Sequence, residues 1–275
     1  MRRHVQGIDH AVILVRDLER AREAYARIGF TLTPRGTHTL GSQNHCIMFA
    51  RDYLELLAVP RPHPALQYFS DFLAQGEGLG ALALATDDAG GLHAEFAADG
   101  IAADAPLDFS RPVGELGEAR FRIVKLPRDA SPGCLMFACQ HFTRGVVWRP
   151  EYVRHAVGAT QIAALAVVAE DTAGAASRYA RLLAASPQAI DEGLLVPSGS
   201  APIAFASRAN LGHRLQGVGL PQRPRPLVAA LFIRVADRAQ AARVLRRNGL
   251  TPVALRDGSF AVNAEDAHGV AVVFG

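Results

Sequence analysis

Residues 7–60 read GIDHAVILVRDLERAREAYARIGFTLTPRGTHTLGSQNHCIMFARDYLELLAVP. The stretch GIDHAVILV is β-branched and alternates in polarity at its start, which predicts a strand. Asp17 then stands where a helix N-cap belongs. Leu18, Ala21, Tyr25 and Ile28 follow at helical spacing, and Gly29 ends the helix. Phe30 to Pro34 is expected to open the next strand. A turn at Gly41-Ser42-Gln43-Asn44 leads to HCIMFA, and a shorter one at Arg51-Asp52 leads to YLELLAV. The unit is strand, helix and a three-strand meander.

The same order recurs downstream, which points to an internal repeat. GALALATDD aligns under the first strand, Leu92 and Phe96 under Ala21 and Tyr25, and Gly100-Ile101 under Gly29-Phe30. IAALAVVAED opens a third copy with Tyr179 under Tyr25. AALFIRVAD opens a fourth, whose helix AQAARVLRRNGL ends on Gly249-Leu250. The expected fold is α+β, four βαβββ-type units forming two cup-shaped mixed sheets. The expected domains are 1–155 and 156–275, joined through the aromatic and basic stretch HFTRGVVWRPEYVRHAVGA, read as a packed connector. GHRLQGVGLPQRPRP reads as a loop between the last two units.

Composition bounds the function. The chain has 275 residues, 49% hydrophobic and 20% charged, which fits a folded globular protein and excludes a disordered or fibrous one. A net charge of +3 with no dense Lys/Arg block gives no support to nucleic acid as a partner. No apolar run approaches the ~20 residues of a membrane span, and no signal-peptide core follows the charged N-terminus. The 3 cysteines, Cys46, Cys134 and Cys139, cannot all pair within one chain and form no CxxC. A cytoplasmic protein acting on a small molecule is expected, without membrane attachment; a homodimer is the assembly left open.

The stretches GIDHAVILVRDLERA, GF, PRGTHTLGSQNH and YLELL resemble the vicinal oxygen chelate superfamily, in particular glyoxalase-like proteins. The closing DAHGVAVVFG is similar to the last strand common in that superfamily. The resemblance implies that each pair of units curls its sheet into a cup. In metal-using members the cup holds a divalent ion on ligands from the first and last strands of the units.

His10 and Glu55 occupy those positions. An ionisable group inside an apolar strand is costly unless it is paired or metal-bound, and an imidazole with a carboxylate suits zinc, manganese, nickel or iron. A buried His–Glu hydrogen bond without metal is the competing reading. The other units place Ala81, Phe137, Ala164, Ala230 and Val273 at the equivalent positions, none of which can ligate. His141 is the first candidate for a third metal ligand and His45 the second. Arg35, His38, Asn44, His45 and Tyr53 are candidate substrate contacts around the cup. Trp148, Arg149, Tyr152 and His155 read as groups pinning the connector. Three functions follow from the resemblance: a metal-dependent lyase or isomerase with His10 and Glu55 catalytic, a metal-free binding protein, or a ring-cleaving dioxygenase.

Overall fold

The computed structural model describes residues 1–275, the side chain at position 116 excepted. β1 (Gly7–Leu14), α1 (Leu18–Ile28), β2 (Gly36–Thr37), β3 (Gln43–Met48) and β4 (Tyr53–Ala58) come first. A linking helix, α2 (Gln67–Ala74), leads to β5 (Gly78–Ala85), α3 (Ala89–Ala98), β6 (Leu107–Pro112), β7 (Glu118–Lys125) and β8 (Leu135–His141). The short α4 (Arg144–Val147) precedes β9 (Ala159–Val168), α5 (Thr172–Leu183), β10 (Gln188–Ile190), β11 (Gly193–Val196) and β12 (Ile203–Ala206). After α6 (Arg208–Arg214) come β13 (Leu227–Val235), α7 (Arg238–Arg247), β14 (Val253–Ala254), β15 (Phe260–Val262) and β16 (Ala271–Phe274). In each stretch the first strand pairs parallel with the fourth. The crossover helix makes that parallel pairing possible.

Each crossover helix starts on an aspartate. Asp17, Asp88, Asp171 and Asp237 each accept a hydrogen bond from a free amide of the first turn, satisfying donors the helix cannot. The helix ends differ. Gly29 closes α1 in the left-handed region at φ 102°, whereas Ala184 closes α5 there at φ 47°, a conformation that costs a residue with a Cβ.

Two expectations are corrected. Phe30–Pro34 is not a strand, and β2 begins only at Gly36. Phe30 instead turns its ring into the core against Tyr25, Phe49 and Phe274, and Pro34 has no amide to give a ladder. The two sheets are also continuous. β1 pairs antiparallel with β5, and β9 with β13. A single bridging pair, Val228 with Leu79, then joins the halves into one 16-stranded sheet.

The helices seal the halves together. Tyr25 of α1 and Tyr179 of α5 are both fully buried. Tyr25 donates its hydroxyl to the Ala267 carbonyl at 3.0 Å, and Tyr179 donates to the Pro132 carbonyl at 2.9 Å. Each tyrosine thus anchors a helix of one half to a loop of the other. Tyr25→Phe should lower the unfolding free energy by about 1–2 kcal/mol, because a buried carbonyl loses its donor. Urea denaturation checks this, and an unchanged midpoint would contradict it.

The first half leaves an open cup, closed on one side where β2 lies against β6. The second half fills its own. Leu211 of α6 and Leu215 after it pack onto Ala166, Ala230 and Ala271, with Val218 and Leu220 around them. Alanines along those strands leave room for a helix against the sheet. Gly212–Arg214, read from sequence as loop, belongs to that plug.

Candidate active site

The open cup has a volume of about 330 Å³. His10 and Val12 of β1 face it, beside Tyr53, Glu55 and Leu57 of β4. The parallel register sets His10 opposite Tyr53 and Val12 opposite Glu55, so the imidazole and the carboxylate sit one step apart on one concave face. His10 is 4% exposed and Glu55 6%. His10 Nε2 lies 3.7 Å from Glu55 Oε2, too long for a hydrogen bond.

The other ring nitrogen explains that spacing. His10 Nδ1–H donates to Asp9 Oδ2 at 2.7 Å. Burial pushes the Asp9 carboxyl up, but the hydrogen bonds from His10 and His141 outweigh it and hold the group well below the usual carboxylate range. Asp9 is therefore an anion, and its bond to Nδ1–H leaves Nε2 as the ring nitrogen directed at Glu55. Nε2 and Glu55 then face each other without a hydrogen bond between them.

His38 approaches the other Glu55 oxygen, with the Asn44 amide nitrogen 3.4 Å from its Nε2. Its Nδ1 is 2.8 Å from the Ser42 hydroxyl, and its Nε2 is 3.7 Å from Glu55 Oε1. Burial lowers the His38 pKa, so the ring is neutral at pH 7, although Glu55 pulls the other way. Asn44 Nδ2 donates to Glu55 Oε1 at 2.5 Å. Tyr53 lies beneath His10, its ring stacked at 4.3 Å.

Other sequence candidates stand elsewhere. His45 points to the opposite face of β3, where it meets the Thr33 carbonyl at 2.8 Å and Glu19 at 3.2 Å. Arg35 is exposed and bonds Glu19 at 2.6 Å, outside the cup. His141 does not converge on Glu55. Its Nε2–H donates to Asp9 Oδ2 at 3.0 Å, and its Nδ1 is buried without a partner. It is a support behind His10, wedged against Phe121 and Trp148. The connector is pinned: Trp148 Nε1 donates to the Phe49 carbonyl and His155 Nε2 to that of Met48, each at 2.9 Å.

Asp9 has no counterpart among the residues singled out from sequence. Strict alternation turns residue 9 away from the face of residue 10. The β1–β5 register shifts between Ile8 and His10, and such a bulge re-aims a side chain. The apolar far wall was also missed. It comes from the second unit (Phe109, Phe121, Ile123, Leu135 and Phe137) and from Leu66, Tyr68 and Phe69 in and before α2.

The donor set suits a divalent cation. Two imidazole nitrogens each face a different oxygen of one carboxylate at 3.7 Å. Two ligands at about 2.1 Å from one ion lie roughly 3–4 Å apart. A carboxylate behind a ligating histidine is the usual support for such a site. Asp9, Cys139 and His141 also bring ligand atoms within 4.8 Å of one another. That group fits an ion less well. Burial keeps the Cys139 thiol protonated, and Asp9 Oδ2 is occupied by two imidazole donors. The Cys46 thiol, opposite Glu55 on β3, is likewise pushed by burial to about 12. Neither cysteine is a nucleophile at neutral pH.

A family model described as a glyoxalase-like domain matches residues 8–183. The chain belongs to that family. No curated protein matches it significantly. Solved structures share its fold at low identity. A hypothetical protein from Staphylococcus aureus is 12% identical with a TM-score of 0.68, covering 98% of each chain. A mutant of 4-hydroxymandelate synthase from Streptomyces coelicolor is 12% identical with a TM-score of 0.66, covering 98% of this chain and 92% of that one. The Mn(II)-bound glyoxalase from Novosphingobium aromaticivorans is 12% identical with a TM-score of 0.57, covering 98% and 82%. This glyoxalase-like chain thus has the fold of the vicinal oxygen chelate superfamily. Among the described residues no helix is long and apolar enough to cross a membrane.

One buried acid of this glyoxalase-like protein titrates near neutrality. Asp52, in the β3–β4 turn, accepts from the Ile162 amide at 3.0 Å. Burial raises its pKa to about 7, against the lowering effect of that bond. The folded value lies above the unfolded one. The native state therefore binds more protons between pH ~4 and ~7, and stability falls as pH rises through that window. Wild type should lose on the order of 2 kcal/mol between pH 5 and 8 from this group. Asp52→Asn, which keeps an acceptor, should lose much less over the same range in urea denaturation. Parallel profiles for the two proteins would refute the assignment.

Proposed function

We propose that the open cup is the active site of a divalent-metal-dependent lyase or isomerase acting on a small molecule with adjacent oxygens. The observation that supports this is the confrontation of His10 Nε2 and His38 Nε2 with the two oxygens of Glu55, each at 3.7 Å. His10, His38 and Glu55 would hold the ion. When bound, it would supply Lewis-acid stabilisation of negative charge developing on a substrate oxygen. Asp9 orients His10, and His141 holds Asp9 in turn. Asn44 fixes one Glu55 oxygen and leaves the other directed into the cup. That free oxygen would be the group to take a proton from a carbon next to the reacting carbonyl. The apolar wall excludes water from the same carbon. On this reading the second half, its cup filled by α6, is a structural support.

Ala81 and Phe137 at the positions equivalent to His10 and Glu55 favour one competing reading, a metal-free binding protein. Proton exchange separates the two. Manganese-loaded protein is incubated in D2O with a panel of small 2-oxo and 2-hydroxy carbonyl compounds and followed by NMR. Deuterium incorporation beside the carbonyl, lost in Glu55→Gln, is the expected result. Binding without exchange would leave the binding protein, and oxygen consumption would indicate the dioxygenase.

A further inference from the structure

Of the three cationic side chains that line the cup and that this chemistry leaves unused, Arg111, Lys125 and Arg128, Arg111 comes nearest to Asn44 and the Glu55 carboxylate it holds. It alternates with Phe109 and Leu107 on β6, and all three line the cup. The strand opposite is β2. His38 and Phe109 meet across that seam with ring centroids 6.2 Å apart. Next to them, a Cβ built on Gly36 would lie 3.2 Å from Arg111 Nη1 and 2.3 Å from Asn44 Oδ1. The bare glycine therefore lets the guanidinium approach the asparagine that holds Glu55. Among the described residues, Arg111 forms no ion pair with any carboxylate. It is half-buried and lines the cup.

The remainder of the cup is mostly apolar, with Asp104, Lys125 and Arg128 as its further charged side chains, and its mouth carries apolar side chains. Leu40 is 39% exposed and Leu107 50%. Among the described residues these are two of the four large exposed hydrophobic side chains, and both line the cup. A guanidinium at one end of an apolar trough matches an amphipathic anion. Its planar fork pairs in two parallel hydrogen bonds with a carboxylate.

We propose that Arg111 binds the carboxylate of the ligand, so that the substrates of this cup are small organic acids with an apolar, ring-sized body. The inference rests on the cup being the substrate site, but not on the metal. The acid group lies beside Asn44, within one side chain of Glu55, and the body runs along Phe109, Phe121 and Phe137. Selectivity against neutral analogues then comes from leaving the guanidinium unpaired.

The test uses phenylacetate and its neutral counterpart phenylacetamide as probes, titrated calorimetrically into the chelator-treated full chain. Chelation keeps a bound ion from attracting the acid by itself. Wild type should bind the acid at least about tenfold more tightly than the amide, a difference of about 1.4 kcal/mol. Arg111→Met should bring the two within about twofold while leaving amide affinity intact, and Arg111→Lys should retain part of the preference. Equal affinities in wild type, no binding of either probe, or a preference that survives Arg111→Met would each overturn the proposal. A separate manganese titration of wild type distinguishes the two failures. An ion bound with no acid preference sinks this inference alone. Acid preference in a chain that binds no ion sinks the metal reading alone.

Discussion

Asp9→Ala should be the most damaging single change in the cup. Asp9 is 1% exposed and accepts from two imidazoles at 2.7 and 3.0 Å. Removing it strands two buried N–H donors at once and frees two rings to turn. Each stranded donor costs on the order of 1–3 kcal/mol. A total loss of roughly 3 kcal/mol or more in urea denaturation is expected. Asp9→Asn separates stability from function. Its amide oxygen still accepts one of the two bonds, so the fold survives with a smaller loss. The anion that fixes Nδ1 as the donor is gone, and ion affinity should fall by about 10–100-fold. A variant equal to wild type in both measurements would show that the bulge at Asp9 has no such role.

The second large effect is on Glu55. Glu55→Gln keeps the size of the side chain and an oxygen for Asn44, so the melting temperature should shift little. It removes the negative charge and one of the oxygens that face the imidazoles. A hard divalent cation held on two neutral nitrogens and an amide is bound far more weakly. We expect a loss of at least about 100-fold in manganese affinity. Full retention of affinity in a folded Glu55→Gln protein would place any ion elsewhere, with Asp9, Cys139 and His141 as the next group to examine.

The sequence and the structure agree where local rules act alone. The apolar alternation of β1 and β4, the aspartate at each helix start and the tyrosine of α1 and α5 were all readable from residue order. His10 and Glu55 were readable as a pair because each is an ionisable group in an apolar strand. What escaped was set by register and by distant units. The bulge at Asp9 breaks the alternation on which face assignment depends. His141 lies at the end of β8, and only the β1–β5 and β7–β8 pairings decide that it meets Asp9 instead of Glu55. His38 was readable as a cup residue, but its distance to Glu55 depends on where β2 lands. Arg111 and the phenylalanines of the far wall belong to the second unit, whose placement across the cup no local pattern specifies. The plug in the second cup was hidden because a seven-residue helix in a Gly-rich segment looks like loop.

The central claim is that His10, His38 and Glu55 form one divalent-cation site inside the open cup. Manganese titration of chelator-treated wild-type protein, followed by electron paramagnetic resonance, measures it directly. The account predicts one tightly held ion per chain in wild type and weak or absent binding in both His10→Ala and Glu55→Gln. A wild-type chain that leaves all the manganese free in solution, or variants that bind it as wild type does, would contradict the account.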